Sequence, residues 1–541
     1  MNFKFFDRSF QFTLLWCILG VSVSKADTVK ASDFGYNKEN ATEAFQKAIR
    51  SANDTIIVDL QENPWNVDPS WFNNLRDKTI IFESGVILQQ RKGAFNGKLD
   101  MLFRLEKSTN ITIIGYGATF KMDRESLGRL GSEFRNSIAL YDCSHITIKG
   151  LRVEESGGDG LLISSRSPYG YCSDIAIKDI VFSNHLRQGM SIVSLQGGLF
   201  ENCVFQGTSG RFPGAGVDLE PNYPAQCLIG ITFKNCSFID NAQAGILFAL
   251  TKTNGDSSPL EVAFYDSYIA GNNKENVPRN KQGSYWGGEI QIGMNKDFNH
   301  PQKGSVLFKR TIVENFPKYA FMTKKTENAF LVTFEDLAIY NTARFRDNKI
   351  IPIQIQRYNY RKKEPAAGGI HFRNLLVDAG QGKKSISLSG DSWFDWKLKN
   401  FSVTGTFVSK FADVIQDRNK KLNFEGNAQD SVHVKYHAHS ALPRTSVTIT
   451  KTSEASQCTF TRKSKDIGYP LIVSLEFLRM GDEMPVLLKK MILPSGKEKV
   501  TVPLDQLLPA THPENLGAGE INIVKAAHYT LGKHARLKIG P

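Results

Sequence analysis

Apolar and polar residues follow one another along this chain in a phrase that recurs nine times. It runs apolar, polar, a residue that is mostly Asn, Asp or Gly, two variable residues, apolar. The copies start at Ile148, Ile177, Phe200, Phe233, Phe264, Phe308, Phe334, Phe372 and Leu398, at intervals of 23 to 44 residues. β-Branched and aromatic residues on both sides of a polar turn spell a bent strand pair, not a helix. Such a unit cannot bury its inner face alone, so successive units must stack into a solenoid. The pattern predicts a parallel β-helix over residues 27–428, with one long sheet face suited to a polymeric ligand. A short amphipathic helix at 41–50, apolar at Ala41, Ala44, Phe45, Ala48 and Ile49, is placed to cap its open end. From residue 429 the phrase is lost. Alternating strands and a turn at Pro494-Ser-Gly-Lys497 predict a small antiparallel β-sandwich-like domain over 429–541.

A second recurring phrase places chemistry on this scaffold. It is a glycine followed by a strand, at Gly160, Gly189, Gly216, Gly245 and Gly288. Side chains alternate across a strand, so with Val217 and Leu219 inward, Asp218 and Glu220 point out side by side. Alternate residues lie ~7 Å apart at the backbone, which suits the acid and base, or acid and nucleophile, that cleave a glycosidic bond. By the same register Ser191, Leu247, Glu289 and Gln291 point outward, and Glu289 lies two coils on as an assisting carboxylate. Asp159, in Gly157-Gly-Asp-Gly160, begins its strand two coils before Asp218, and an Asx turn is its alternative reading. His185, Arg187 and Gln188 occupy the coil between. Arg187 is suited to gripping a carboxylate or sulfate, and His185 to carrying a proton. Tyr223 and Trp286 are candidates to stack on sugar faces. The plainer readings of these residues are a solvated sheet face, a turn and core packing. Calcium is the alternative occupant of the carboxylate cluster.

Charge and targeting narrow the partner. Lys4 and Arg8, an apolar run at 10–23 and Ser24-Lys-Ala26 read as a secretory signal cut near Ala26, with an N-terminal anchor as the alternative. No later segment is long and apolar enough to cross a bilayer. The chain is therefore expected to be secreted or periplasmic. A formal net charge of +13 favours an anionic partner, although charge spread evenly for solubility gives the same total. Export makes a glycan the better reading than nucleic acid. Cys143, Cys172 and Cys227 precede strands, while Cys203 and Cys236 share one slot of the repeat. They read as a ladder of small buried residues, with no zinc spacing.

The stretch Asp33-Phe-Gly-Tyr36 with Ala41-Thr-Glu-Ala-Phe-Gln-Lys-Ala-Ile49 resembles the entrance of the pectate-lyase-like superfamily. Residues 187–192 and 214–222 resemble motifs of secreted bacterial β-helix proteins acting on glycans. The resemblance spans about three quarters of the chain, and it implies a right-handed parallel β-helix and a carbohydrate substrate. It does not choose a reaction, because the superfamily holds hydrolases, lyases, epimerases, esterases and adhesins. Polygalacturonase-type members carry adjacent aspartates and Gly-His-Gly, and this chain has neither. Its Asp-x-Glu pair is similar in kind, though reversed in order, to the paired acids of iota-carrageenases. The leading expectation is a glycoside hydrolase for an acidic or sulfated polysaccharide. A uronate lyase or epimerase and a non-catalytic glycan-binding adhesin are the alternatives. The oligomeric state stays open.

Overall fold

The computed structural model describes residues 27–273, 287–294, 298–317, 319–340, 352–356, 365–378, 386–389, 396–408 and separate strands between 415 and 539. The signal-like segment 1–26 and Trp286 lie outside the described residues.

The regular coils have three strands, and in the last ones the first two run together, as in Ala367–Asp378. One coil reads Cys172–Lys178, Val181–Ser183 and Met190–Ile192, and the next begins at Leu195–Glu201. Equivalent strands pair in parallel, Ile177 beside Phe200, Phe182 beside Phe205 and Ile192 beside Leu219. The result is a three-sided solenoid, with first and second strands joined in one large sheet and, among the described residues, twelve third strands forming another.

The repeat's polar position explains itself at the first corner. Asp179, Asn202, Asn235, Asp266, Asp336, Asn374 and Asn400 are all left-handed, with φ between 49° and 56°, as is Gly150 at 82°. Asn, Asp and Gly tolerate that region best. Arg310 is the exception at φ 53°, and it pairs with Asp266 in the coil before through contacts of 2.6 and 2.8 Å. The apolar positions of the phrase meet inside. Phe200, Phe233, Phe264, Phe308, Phe334 and Phe372 form one stack with ring centroids 4.6–4.9 Å apart. Cys143, Cys172, Cys203, Cys227 and Cys236 are buried free thiols.

A second corner, between second and third strands, carries an inward polar ladder of Ser156, His185, Thr208, Asn241 and Asn272, all buried. Asn241 donates to Asn272 Oδ1 at 2.8 Å and to the Phe205 carbonyl at 3.1 Å, satisfying backbone that the bend leaves unpaired.

The entrance is closed by the helix Thr42–Arg50, whose Ala44, Phe45, Ala48 and Ile49 are buried. Phe45 packs on Phe72 at 5.9 Å and Phe103 at 6.2 Å. At the other end the parallel ladder runs further than the repeat suggests. Val432–His437 pairs in parallel with Trp396–Val408, so this strand belongs to the solenoid and not to the domain expected from 429. Beyond it lie two antiparallel sheets. One holds Ser446–Lys451, Gln457–Lys463 and Lys499–Pro503, the other Leu471–Arg479, Leu487–Leu493, Gly519–Ala526 and Tyr529–Ile539. Among the described residues no helix is long and apolar enough to cross a membrane.

Candidate functional site

The third strands position the candidate chemistry. Their inward residues, among them Met190, Ile192, Val217 and Leu219, join the core. Register then aligns Leu162, Ser191, Asp218, Leu247 and Gln291 in one outward row. Glu220 follows the strand Val217–Leu219, and alternation keeps it on the Asp218 side; its N–H donates to the Ile192 carbonyl at 2.9 Å.

Arg187 gathers the acids of three coils. Its Nη1 donates to Asp159 at 3.1 and 3.2 Å and to Ser191 Oγ at 3.3 Å, and its Nη2 donates to Glu220 at 3.0 Å. Glu133 approaches its Nε at 3.5 Å. Asp218 is held from another side: Gln188 Nε2 donates to its Oδ2 at 2.6 Å, while Gln188 Oε1 accepts from the Ala215 N–H at 2.9 Å. Asp218 Oδ1 is buried without a partner.

Burial sets the electrostatics. Asp218 is fully buried, not exposed as alternation alone suggests. Loss of water, then the charge of Glu220, push its carboxyl well above the usual range, and Arg187 and Gln188 only partly oppose this. Asp159 is raised to about 6, mainly by burial, with Arg187 pulling the other way. Burial disfavours the Arg187 charge, but Asp159 and Glu220 outweigh it, so Arg187 stays a cation. Glu220 is the more open member, its side chain 27% exposed. Asp218 and Glu220 are thus neighbours in unlike environments, which is how two carboxyls are separated into acid and base.

Apolar strips flank the acids along the same face. On one side are Met101, Ala139, Tyr141, Leu162 and Val193; on the other Ala215, Ala244 and Leu247 with Ala249. Exposed aromatic rings border it: Tyr169, Tyr171 and Tyr223 follow third strands, and Phe134 and Phe212 precede them.

Asp159, Arg187, Gln188, Asp218 and Glu220 therefore come together, while three other expected residues do not join them as foreseen. His185 is fully buried in the second corner, 2.8 Å from Ser156 Oγ, and burial lowers its pKa to about 3. That fits a neutral core histidine better than a proton carrier. Glu289 is also fully buried and caps the corner ladder, accepting from the Asn272 side chain and backbone. The corner bends it inward, so its place is structural rather than beside the acids. Gln291 does lie on the outward row but is buried, accepting from the Gly287 N–H at 3.4 Å. Tyr223 lies at the border, half exposed. Glu133 escapes sequence reading because it sits in a loop outside both repeated phrases. Among the described residues no group of His, Cys, Asp or Glu is arranged to hold a metal ion. At the acid cluster the Arg187 guanidinium occupies the centre that a calcium ion would need.

Glu289 yields a pH prediction. Burial raises it from 4.5 to about 8 despite its Asn272 bonds. Between those values the folded state keeps the proton that the unfolded chain has lost. Its contribution therefore falls by about 1.4 kcal/mol per pH unit as pH rises through that window. Glu289→Gln is expected to remove this slope, read from unfolding midpoints at pH 4.5 to 8; an unchanged slope refutes the assignment.

Residues 131–274 match the family model described as "Right handed beta helix region". This stretch is a right-handed β-helix. The match includes the coils bearing Asp159, Arg187, Asp218 and Glu220, so the acids sit on regular rungs of that fold. No curated protein sequence matches the chain. Among solved structures, it is similar to the surface protein and adhesin PfbA of Streptococcus pneumoniae, at 12% identity and TM-score 0.41, covering 75% of this chain and 100% of that one. It is also similar to the tailspike protein of E. coli bacteriophage HK620, at 12% identity and TM-score 0.41, covering 88% and 92%. A polygalacturonase from Erwinia carotovora ssp. carotovora shows 10% identity and TM-score 0.30, covering 74% and 96%. Likenesses this faint bear on no residue of the β-helix site.

Proposed function

We propose that the protein is a carbohydrate-active enzyme, a glycoside hydrolase whose polysaccharide lies along the outward face of the third sheet. The observation that carries this reading is the Asp218–Glu220 pair: one carboxyl fully buried and pushed well above its usual pKa by loss of water, its neighbour more open and held by Arg187. Asp218 is the proton donor to the leaving oxygen, and its unpaired Oδ1 is the atom left to serve. Glu220 acts as base or nucleophile on the sugar. Arg187 and Gln188 fix the two carboxyls in their different roles. The flanking apolar strips and border aromatics supply a dry floor and ring-stacking walls for a glycan.

A lyase would need a base to abstract a proton. Arg187, His185 or a lysine could be that base; Arg187 stays charged and His185 is sequestered in the corner, which weighs against the first two. The test incubates purified protein with acidic and neutral polysaccharides, with and without calcium, following reducing ends and the ultraviolet absorbance of unsaturated sugars. New reducing ends without absorbance are expected. Absorbance rising with cleavage means a lyase, and binding without any change of chain length means an adhesin.

A further inference from the structure

The outward row continues away from the acids to a different chemical surface. Trp71, Arg104, Ala139, Leu162, Ser191 and Asp218 stand beside one another in successive coils. The neighbouring row brings Glu106 beside Tyr141. At this end the Arg104 guanidinium lies 4.2 Å from the Trp71 ring centroid and 5.0 Å from that of Tyr141. Arg166, from the loop after the next strand, covers Tyr141 at 4.7 Å. Glu106 is the carboxylate here, paired with Arg104 and 3.3 Å from Arg166. Two guanidiniums thus share one acid.

Three further observations point to a ligand. Arg104 is only 6% exposed, yet its Nε has no partner. A buried donor without an acceptor is costly and is satisfied when an anion arrives. Arg166 keeps 43% of its side chain in solvent, so its donors are reachable. Trp71 is 49% exposed, an apolar plate in water beside these charges.

Resting on the hydrolase reading, we propose that Trp71, Arg104, Tyr141 and Arg166 form a distal subsite for the anionic group of a glycan, a carboxylate or sulfate. Four coil steps separate Arg104 from Asp218, about 19 Å at the usual strand spacing. That distance spans several sugar rings, and the apolar strip of Ala139, Leu162 and Val193 lies between. The polymer therefore runs parallel to the solenoid axis, with its negative group gripped at one end and its reacting bond at the acids. The arrangement also divides the charges: the anion avoids the acid-rich cluster and is held where guanidiniums are in excess. Planar guanidiniums match either oxyanion by paired donors.

The test measures binding apart from cleavage, by quenching of tryptophan fluorescence and by calorimetry. The probes are hexasaccharides of galacturonate and of a sulfated galactan, each with its neutral methyl-esterified or desulfated counterpart. Tighter binding of one anionic probe identifies the group as carboxylate or sulfate. Arg166→Gln is expected to weaken that binding about tenfold or more, to flatten its salt dependence, and to leave the neutral probe unaffected. Turnover of a disaccharide, too short to reach Arg166, is expected to be unchanged. Trp71→Ala, at an exposed position, checks the plate without disturbing the core. Equal binding of charged and neutral probes, or undiminished binding by Arg166→Gln, overturns the subsite. Arg166-dependent binding in a protein that cleaves no glycan overturns the hydrolase reading and leaves the subsite standing.

Discussion

Asp218→Asn is expected to lower glycan turnover by about 10²–10⁴-fold, the range for losing a positioned proton donor. Asparagine keeps the size of the side chain and an oxygen to accept from Gln188, but it has no proton to give. The same change is expected to raise stability at neutral pH. The folded protein keeps the Asp218 carboxyl protonated well above the usual range, while the unfolded chain ionises it near 4. Rising pH therefore favours the unfolded wild type through that window, and the amide abolishes the effect. Loss of activity with a gain in unfolding midpoint separates a functional carboxyl from a structural one. Glu220→Gln is expected to lose activity as well. The alkaline limb of kcat/KM belongs to Asp218, because activity falls as the donor loses its proton. Wild-type turnover in both variants would remove this pair from the mechanism.

The parts of this molecule differ in how plainly the chain announces them. The coils were legible because a left-handed corner and a stacked interior constrain residue type at fixed offsets. Asn235 and Asp179 answer to backbone φ, and Phe233 and Phe264 to one another. The Asp218–Glu220 face followed from strand alternation alone. The burial of Asp218 did not, because its environment includes side chains of another coil, such as Gln188, which no spacing within its own strand reveals. The same uneven spacing hid the row from Trp71 to Asp218, whose members recur at no constant interval. Glu289 shows where alternation fails. It stands at the strand's edge, and the hydrogen-bonding demand of the Asn241–Asn272 ladder turns it inward. His185 was drawn out of the site by the same corner. The strand Val432–His437 looked foreign because it lacks the repeat phrase, yet parallel pairing needs only backbone.

Arg187→Met is expected to cost about 3–5 kcal/mol of stability at neutral pH, the usual result of stranding buried carboxylates. Methionine replaces the aliphatic stem, so the deficit reports mainly the lost charge. The guanidinium now faces Asp159, Glu220 and Glu133. Without it those carboxyls lose the cation they share, and Asp159, already at about 6, moves higher still. A carboxyl raised in the folded state loses stability as pH rises above its unfolded value. The Arg187→Met deficit is therefore expected to be small near pH 4 and to grow toward pH 7, measured as unfolding midpoints in denaturant. Adding Asp159→Asn to Arg187→Met is expected to restore part of the loss, because it removes one stranded charge, and the two changes are then non-additive. A deficit independent of pH, or additive with Asp159→Asn, would make Arg187 a packing residue. In that case the acids are held apart by the backbone alone, and the partition of Asp218 and Glu220 into donor and base loses its electrostatic cause.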